Sequence, residues 1–507
     1  MQSSPFPAAF LIMGIAVTGI SECQFQANVS TTSNELSSLK QEAYIKASNT
    51  APGDAFGRAV ALSGNTLVVG AYREGSVATG INGDQFDRSA PGSGAVYVFT
   101  RSSSGTWDQQ AYIKASNAES GDWFGFSVAL SGDTLAVGAT REASSANRID
   151  GDQVDNSAPQ AGAVYIFTRD SGGNWTQQAY IKPFNTDAGD AFGFSVALEG
   201  DTLAVGAIGE SSAALGIGGD RFDNSARNAG AVYVFTRDSS GRWSQQSYIK
   251  PSNTLAFQNF GWSVALSGDT LAVGAIGESS DDVGVNGDQT STRAPQSGAT
   301  YVFTRDSAGN WSQQAYVKAS NTEAGDWFGF SLALTGDTLA VGATREASSA
   351  IGIDGDQQDN GAPGAGAVYT FSRDSRGDWL QQTYIKASDT AAGQVFGASL
   401  ALSSDLLVVG AGEVAGGIGI NGGQTVDAGN AGAAYFFVPD SVEHWKQGAE
   451  VTASTADRGD GFGVSVAMSG DLFTFGAPAE ASIATGIDGD QSDNTAPGAG
   501  AVYAFKK

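Results

Sequence analysis

The chain has 507 residues, with 53 Asp and Glu against 27 Lys and Arg and a formal charge of −26. That balance excludes nucleic acid as a partner, because phosphate contacts need a basic surface, and it points to cations or partners with basic patches; charge that merely keeps an exported protein soluble is the plainer alternative. One Cys (Cys23) and one His (His444) exclude an internal disulfide, a Cys/His zinc site, and a Ser-His-Asp triad or cysteine nucleophile in each repeat. An apolar fraction of 41% with 69 Gly suits many short strands joined by tight turns rather than disorder.

Residues 1–23 stand apart. The apolar run from Ala8 to Val17 is too short to span a bilayer and reads as the core of an export signal. Ile20-Ser21-Glu22-Cys23 resembles a bacterial lipoprotein processing site, although Glu22 stands where such sites carry a small residue and no Lys or Arg precedes the run. An exported location follows: extracellular, periplasmic or cell-surface, with membrane anchoring only through a lipidated Cys23. An ordinary N-terminal tail is the alternative. Residues 24–38, rich in Ser, Thr and Asn, read as a flexible linker.

From residue 39 onward the chain repeats. Phe-Gly pairs begin at Phe56, Phe124, Phe192, Phe260, Phe328, Phe396 and Phe462, spaced 68 residues five times and then 66. Gly-Ala pairs follow at Gly70, Gly138, Gly206, Gly274, Gly342, Gly410 and Gly476. A fixed period of this length means a repeat architecture. In the second copy the residue pattern predicts strands over Phe126–Leu130, Thr134–Ala139, Gly162–Arg169 and Trp175–Lys182, the first two joined by the tight turn Ser131-Gly132-Asp133. Four antiparallel strands repeated seven times predict an all-β, seven-bladed β-propeller. The last copy ends after its third strand. Leu39–Lys46 matches Trp107–Lys114 in register, so the N-terminal strand is expected to complete the last blade and close the ring over residues 39–507.

The Phe-Gly and Gly-Ala hallmarks, with GAVYVF downstream, resemble FG-GAP repeats, the unit of the integrin α-subunit propeller and of many bacterial exported proteins. The resemblance spans residues 39–507. It implies the seven-bladed fold, extracellular or cell-surface placement, and a binding or adhesion role rather than catalysis. The chain departs from the integrin pattern in one respect. Where integrins carry a DxDxDGxxD calcium loop between the first two strands, this chain has only Ser131-Gly132-Asp133, Ser63-Gly64-Asn65 or Thr335-Gly336-Asp337.

Acidic residues cluster elsewhere. The connection between the second and third strands is about twenty residues long, and such loops often carry function. It reads Asp150-Gly151-Asp152-Gln153-Val154-Asp155-Asn156 in blade 2, with close counterparts at Asp354–Asn360 and Asp488–Asn494. In five blades a further Asp precedes the Phe-Gly in the 4–1 connection, which emerges on the same face. Five blades keep all three carboxylates: Asp54, Asp84 and Asp87; Asp122, Asp152 and Asp155; Asp190, Asp220 and Asp223; Asp326, Asp356 and Asp359; Asp460, Asp490 and Asp493. Blade 4 has Gln258 and Ser291 instead, and blade 6 has Gln394, Gly423 and Val426. Joint change suggests contact. Oxygen ligands at alternate positions with a sharp Gly turn suit Ca²⁺, one ion per blade in those five blades. Asp, Asn and Gly as turn formers, with the carboxylates accepting from backbone N–H groups, give the competing structural account.

Two repeated positions have structural readings. Glu74, Glu142, Glu210, Glu278, Glu346, Glu413 and Glu480 persist in every blade and are expected to hydrogen-bond loop N–H groups. Trp107, Trp175, Trp243, Trp311, Trp379 and Trp445 start the fourth strand and are expected to pack between blades. Trp262 departs from the repeat beside the Phe-Gly pair, as do Trp123 and Trp327, which sit in 4–1 connections where an exposed ring could stack on a sugar or a partner. The polar groups are replicated, whereas catalysis usually needs one distinct constellation. The sequence therefore reads as a non-enzymatic scaffold presenting acidic loops to a protein or glycan. A purely structural envelope or matrix protein and a carboxylate-dependent glycosidase or lyase are the rivals.

Overall fold

A computed structural model describes residues 36–412, 431–440 and 445–507. The expectations for Cys23, the leader, most of the linker, Glu413, Gly423, Val426 and His444 lie outside the described residues.

The chain forms seven four-stranded antiparallel sheets. In blade 2 the strands are Phe124–Ser131, Thr134–Ala139, Ala163–Arg169 and Trp175–Ile181, each paired only with its neighbours in sequence. The predicted strands are therefore borne out, with the first one longer by two residues at its start. Phe124 pairs with Ala139, but the next partners are Ser127 and Gly138, so the ladder is interrupted around Gly125 and Phe126. Gly125 has a φ of 84°, which a side chain would resist. The Gly132-Asp133 hairpin is tight as expected, with Ser131 opposite Thr134 and Gly132 at a φ of 55°.

Ring closure is as predicted. Lys40–Ile45 pairs with Ala501–Lys506, placing Tyr44 opposite Tyr503 and Ile45 opposite Val502. The described residues begin before this strand. Leu36–Ser38 forms a short 3-10 turn, and Leu36 is buried among residues of blades 6 and 7. An apolar Leu therefore ties down the end of the segment read as a linker.

The hydrophobic core lies between blades rather than within them. Val96, Val98 and Ile113 of blade 1 pack with Val128, Leu130, Leu135 and Val137 of blade 2. The family glycines explain how blades approach so closely. A Cβ on Gly138 would lie 2.2 Å from the Gly193 carbonyl oxygen of the next blade, and one on Gly193 would lie 2.7 Å from the Ala163 oxygen. The Gly of Gly-Ala thus meets the Gly of the following Phe-Gly, and the same contact joins Gly476 to Gly57 across the closure. Ser127 Oγ donates to the same Gly193 oxygen at 2.7 Å.

The long 2–3 connection is not free. Its middle returns to the outer strand of its own blade, where Ile81 bridges to Ile113. Asn82 N donates to the Tyr112 carbonyl at 2.7 Å and Tyr112 N donates to Asn82 Oδ1 at 2.9 Å. Asp150, Asn286, Asp354 and Asp488 accept from their tyrosines in the same way. All five have φ between 50° and 59°, a left-handed conformation that Asn and Asp tolerate best after Gly. Among the described residues no helix is long and apolar enough to cross a membrane.

A candidate binding face

The 2–3 and 4–1 connections do share a face, and they touch. Asn156 Nδ2 of the blade 2 loop donates to Glu119 Oε2 of the preceding 4–1 connection at 2.7 Å. Asn224 to Asp187, Asn360 to Glu323 and Asn494 to Asp457 repeat this bond at 2.9, 2.8 and 2.8 Å. The bridging groups are therefore the neighbours of the predicted aspartates.

The predicted aspartates separate into two populations. Asp122 is buried and accepts from Glu119 N at 2.9 Å, closing a four-residue turn. Asp54, Asp190, Asp326 and Asp460 are buried in the same role. Burial pushes the carboxyls of Asp54, Asp122, Asp326 and Asp460 up to about 7 and that of Asp190 to about 8. Asp54 differs in having a cationic partner, Arg88 Nη2 at 2.6 Å, whose charge opposes the effect.

The loop aspartates face solvent. Asp84, Asp152, Asp220, Asp356 and Asp490 are exposed, and each accepts from the N–H two residues on, at 2.9 to 3.0 Å. Asp87, Asp155, Asp223, Asp359 and Asp493 are half-exposed and close the next turn in the same way. Hydrogen bonds from Ser145 and Ser157 hold Asp155 down at about 2. Among the described residues no three or more Asp, Glu, His or Cys side chains are grouped so that they could hold a metal ion. The aspartates of one blade, as placed, act as acceptors in turns rather than as a common set of ligands.

The blades that break the pattern show what each position needs. Gln258 Oε1 accepts from Leu255 N at 2.8 Å, as Asp122 accepts from Glu119, while its Nε2 donates to the Asn253 carbonyl. Gln394 does the same with Ala391 and Asp389. In blade 4 Ser291 Oγ donates to Asp281, reversing the Ser145-to-Asp155 bond of blade 2. The substitution at Ser291 is thus explained by a partner within its own loop.

Beneath this face lies a buried latch that the sequence reading only half anticipated. Glu74 accepts from Ser76 N at 3.0 Å, as expected of a residue bonding loop N–H groups. It also accepts from Tyr112 Oη at 3.1 Å, Asn49 Nδ2 at 3.1 Å and Lys114 Nζ at 2.9 Å. Buried Lys–Glu pairs recur as Lys182–Glu142, Lys250–Glu210, Lys318–Glu278, Lys386–Glu346 and Lys46–Glu480, at 2.6 to 3.0 Å. Burial lowers the proton affinity of each lysine, and the glutamate opposes that loss. The available signal was a Lys two residues after each inward Tyr of strand four, since alternate strand residues share a face. Blade 6 has Thr452 and Glu450 in those two places.

The tryptophans also resolve. Trp175 Nε1 donates to Gln110 of the preceding blade at 2.9 Å, the expected packing between blades. Trp243, Trp311 and Trp379 repeat the bond. Trp262 is buried in the axial cluster with Phe126, Phe194 and Phe330. Trp123 is stacked with Phe126 and lies under the Arg141 guanidinium, 3.5 Å from the ring centre; Phe330 and Arg345 flank Trp327 likewise. The chain's own side chains already occupy these indoles, so stacking on a sugar is not their evident use.

A closed ring of seven four-stranded blades, built from one repeat and strapped shut by its N-terminal strand, defines a β-propeller repeat protein. The FG-GAP repeat family model matches residues 39–99, 107–167, 175–235, 243–303, 311–371, 379–437 and 445–505, and the chain belongs to that family. No curated protein sequence matches it. Among solved structures, Saccharomyces cerevisiae Sqt1 is similar at 10% identity and a TM-score of 0.37, over 92% of this chain and 98% of that one; at that score the likeness adds nothing to the assignment.

Proposed function

We propose that the protein is an exported, non-enzymatic binding or adhesion scaffold whose acidic loop face docks a protein or glycan partner. FG-GAP propellers commonly serve as binding or scaffold domains. The observation that carries the reading is the repetition of exposed Asp84, Asp152, Asp220, Asp356 and Asp490 on loops pinned to the outer strands. Pinning matters because a pre-ordered loop loses little entropy on binding. The test is binding of labelled protein to the surface of the producing cells at low and high salt. Wild type is expected to bind and to weaken as salt screens the charge. A variant with Asn at Asp84, Asp87, Asp152, Asp155, Asp220 and Asp223 is expected to lose that binding. A wild type that does not bind would favour a structural envelope or matrix role. Fractionation and N-terminal mass measurement test export and lipidation of Cys23.

Calcium belongs to this proposal as a loosely held ion of the exposed loops, because no three carboxylates converge as placed. Calorimetric titration is expected to give dissociation constants of about 0.1–1 mM, the range of weak extracellular sites. Absence of any heat, with no shift in melting temperature on chelation, would remove calcium from the reading.

A further inference from the structure

The repeat supplies its own internal standard, and one sector departs from it. Blade 3 carries Arg221 where Gln85, Gln153, Gln289, Gln357, Gln424 and Gln491 stand elsewhere. It carries Arg227 where Pro91, Pro159, Pro295, Pro363 and Pro497 stand. The 4–1 connection entering blade 3 has Phe184 in place of Ser48, Ser116, Ser252, Ser320, Ser388 and Ser454. The one leaving it has Phe257 in place of Gly53, Gly121, Gly189, Gly325, Gly393 and Gly459.

These departures meet as contacting pairs. In five blades the Ser donates to the Gln, as Ser48 does to Gln85 at 2.6 Å. In blade 3 the Arg221 guanidinium instead lies 5.9 Å from the Phe184 ring centre and 6.0 Å from that of Phe222. In five blades the Gly N–H donates to the Pro carbonyl, as Gly189 does to Pro159 at 3.0 Å. Phe257 N keeps that bond to the Arg227 carbonyl at 2.8 Å and adds a 5.9 Å contact between ring and guanidinium. Both arginines belong to one 2–3 connection, so two co-changed pairs flank a single loop.

The replacements run against folding. Phe257 has a φ of 66°, where a bulky side chain is strained and six blades use Gly. Phe257, Phe184 and Leu255 are 56%, 46% and 46% exposed, which adds apolar area in water beside Phe222, a position that Phe86 fills with equal exposure in blade 1. Neither arginine makes an ion pair among the described residues, on a chain with 26 excess negative charges. Exposed rings and unpaired guanidinium groups side by side are the composition of a binding hot spot.

We infer that Phe184, Arg221, Phe222, Arg227, Leu255 and Phe257 form the docking site for a protein segment that places an Asp or Glu beside apolar side chains. The guanidinium forks take the carboxylate, and the rings and Leu255 cover the apolar groups. Leu255 and the exposed ring area favour a peptide over a sugar. This rests on the scaffold reading above and names the sector and the partner chemistry within it.

The test uses the full chain and a variant that restores the repeat: Phe184→Ser, Arg221→Gln, Arg227→Pro and Phe257→Gly. The other blades carry those residues in the same frame, so the variant is expected to melt no lower than wild type. A displayed random-peptide library is selected on wild type and counter-selected on the variant. Enriched peptides are expected to pair Asp or Glu with Leu, Phe or Trp, and to bind the variant at least roughly tenfold more weakly by calorimetry. Peptides that bind both proteins alike would overturn this inference while leaving the acidic-face reading standing. Failure to enrich any peptide, or wild-type-specific binding of an oligouronate in place of peptides, would also overturn it. If the variant melts lower, Arg221→Gln with Phe184→Ser alone is the comparison, and unchanged peptide affinity there sinks the site.

Discussion

The aspartate before the Phe-Gly of blades 2, 3, 5 and 7 sits where a neutral group fits best. Asp190 accepts one turn N–H in a buried position, and Gln258 and Gln394 fill the equivalent place as neutral residues that also donate. Asp122, Asp190, Asp326 and Asp460 hold their protons more tightly in the ring than in the unfolded chain, where the value is 3.8. Folding therefore takes up protons in between. The stabilisation from Asp122, Asp326 and Asp460 is complete below 3.8 and lost as the pH rises through about 7, with Asp190 extending the loss to about 8. Asp190→Gln is expected to stabilise the protein by about 1–2 kcal/mol at pH ~8 and to change little at pH ~4, read by urea unfolding at both values. Equal effects at the two values would mean that Asp190 is ionised throughout. The latch beneath gives a second prediction. Lys182→Met leaves Glu142 buried without its cation and is expected to cost about 3–5 kcal/mol, with Glu142→Gln in the same chain recovering part of it. The joint change of Asp for Gln or Ser in blade 4 was legible in the sequence, but its cause was not. Two independent turns each kept their hydrogen bond with a different residue, and no shared ligand was needed.

At the scale of strands, the residue pattern and its turn signals were enough to place every strand of blade 2 within two residues. What sequence could not supply was the reason for the glycines. Gly138 and Gly193 are far apart in the chain and meet only because neighbouring blades press strand against strand. Gly138→Ala would set a Cβ 2.2 Å from the Gly193 oxygen and as close to Ser127 Oγ, so one blade must back away from the next. The expected loss is about 2–4 kcal/mol, well beyond the small preference for Ala over Gly in an exposed strand. Gly132→Ala, in a hairpin where no atom lies within 4 Å, is expected to cost only about 1–2 kcal/mol from its left-handed φ of 55°. Thermal melts of the two variants side by side separate crowding from backbone strain. The 2–3 connection shows the opposite limit of legibility. Its Asp-Gly and Asn-Gly pairs announced turns, yet its bridge to strand four depends on main-chain geometry, as with Ile81 and Ile113. The signal for that docking is one apolar residue repeated in the loop, at Ile81, Ile149, Val285, Ile353 and Ile487, which packs against the blade cores and is easily passed over among the acidic residues around it.

At the scale of the whole ring, the 68-residue period and the offset N-terminal strand made the architecture readable before any coordinate. The same regularity hid the blade 3 sector, because its departures are scattered over some seventy residues and meet as two contacting pairs only once the blades are stacked. Closure also carries the last prediction. Lys40–Ile45 covers the edge of Ala501–Lys506, buries Tyr44 and Ile45, and brings Lys46 to Glu480 at 2.6 Å. Removing residues 1–46 would expose an unpaired strand edge and leave Glu480 without its cation. A propeller differs from an open solenoid here, because every blade leans on two neighbours and loss of one seam frees two blade faces at once. The truncated protein is therefore expected to aggregate or to melt well below the full chain. A synthetic peptide of residues 36–46 should restore the melting temperature in a concentration-dependent way, since it binds only the folded ring. A peptide with Lys46→Met should restore less, because it rebuilds the ladder but not the latch. Full rescue by that peptide would show that strand pairing alone holds the ring shut.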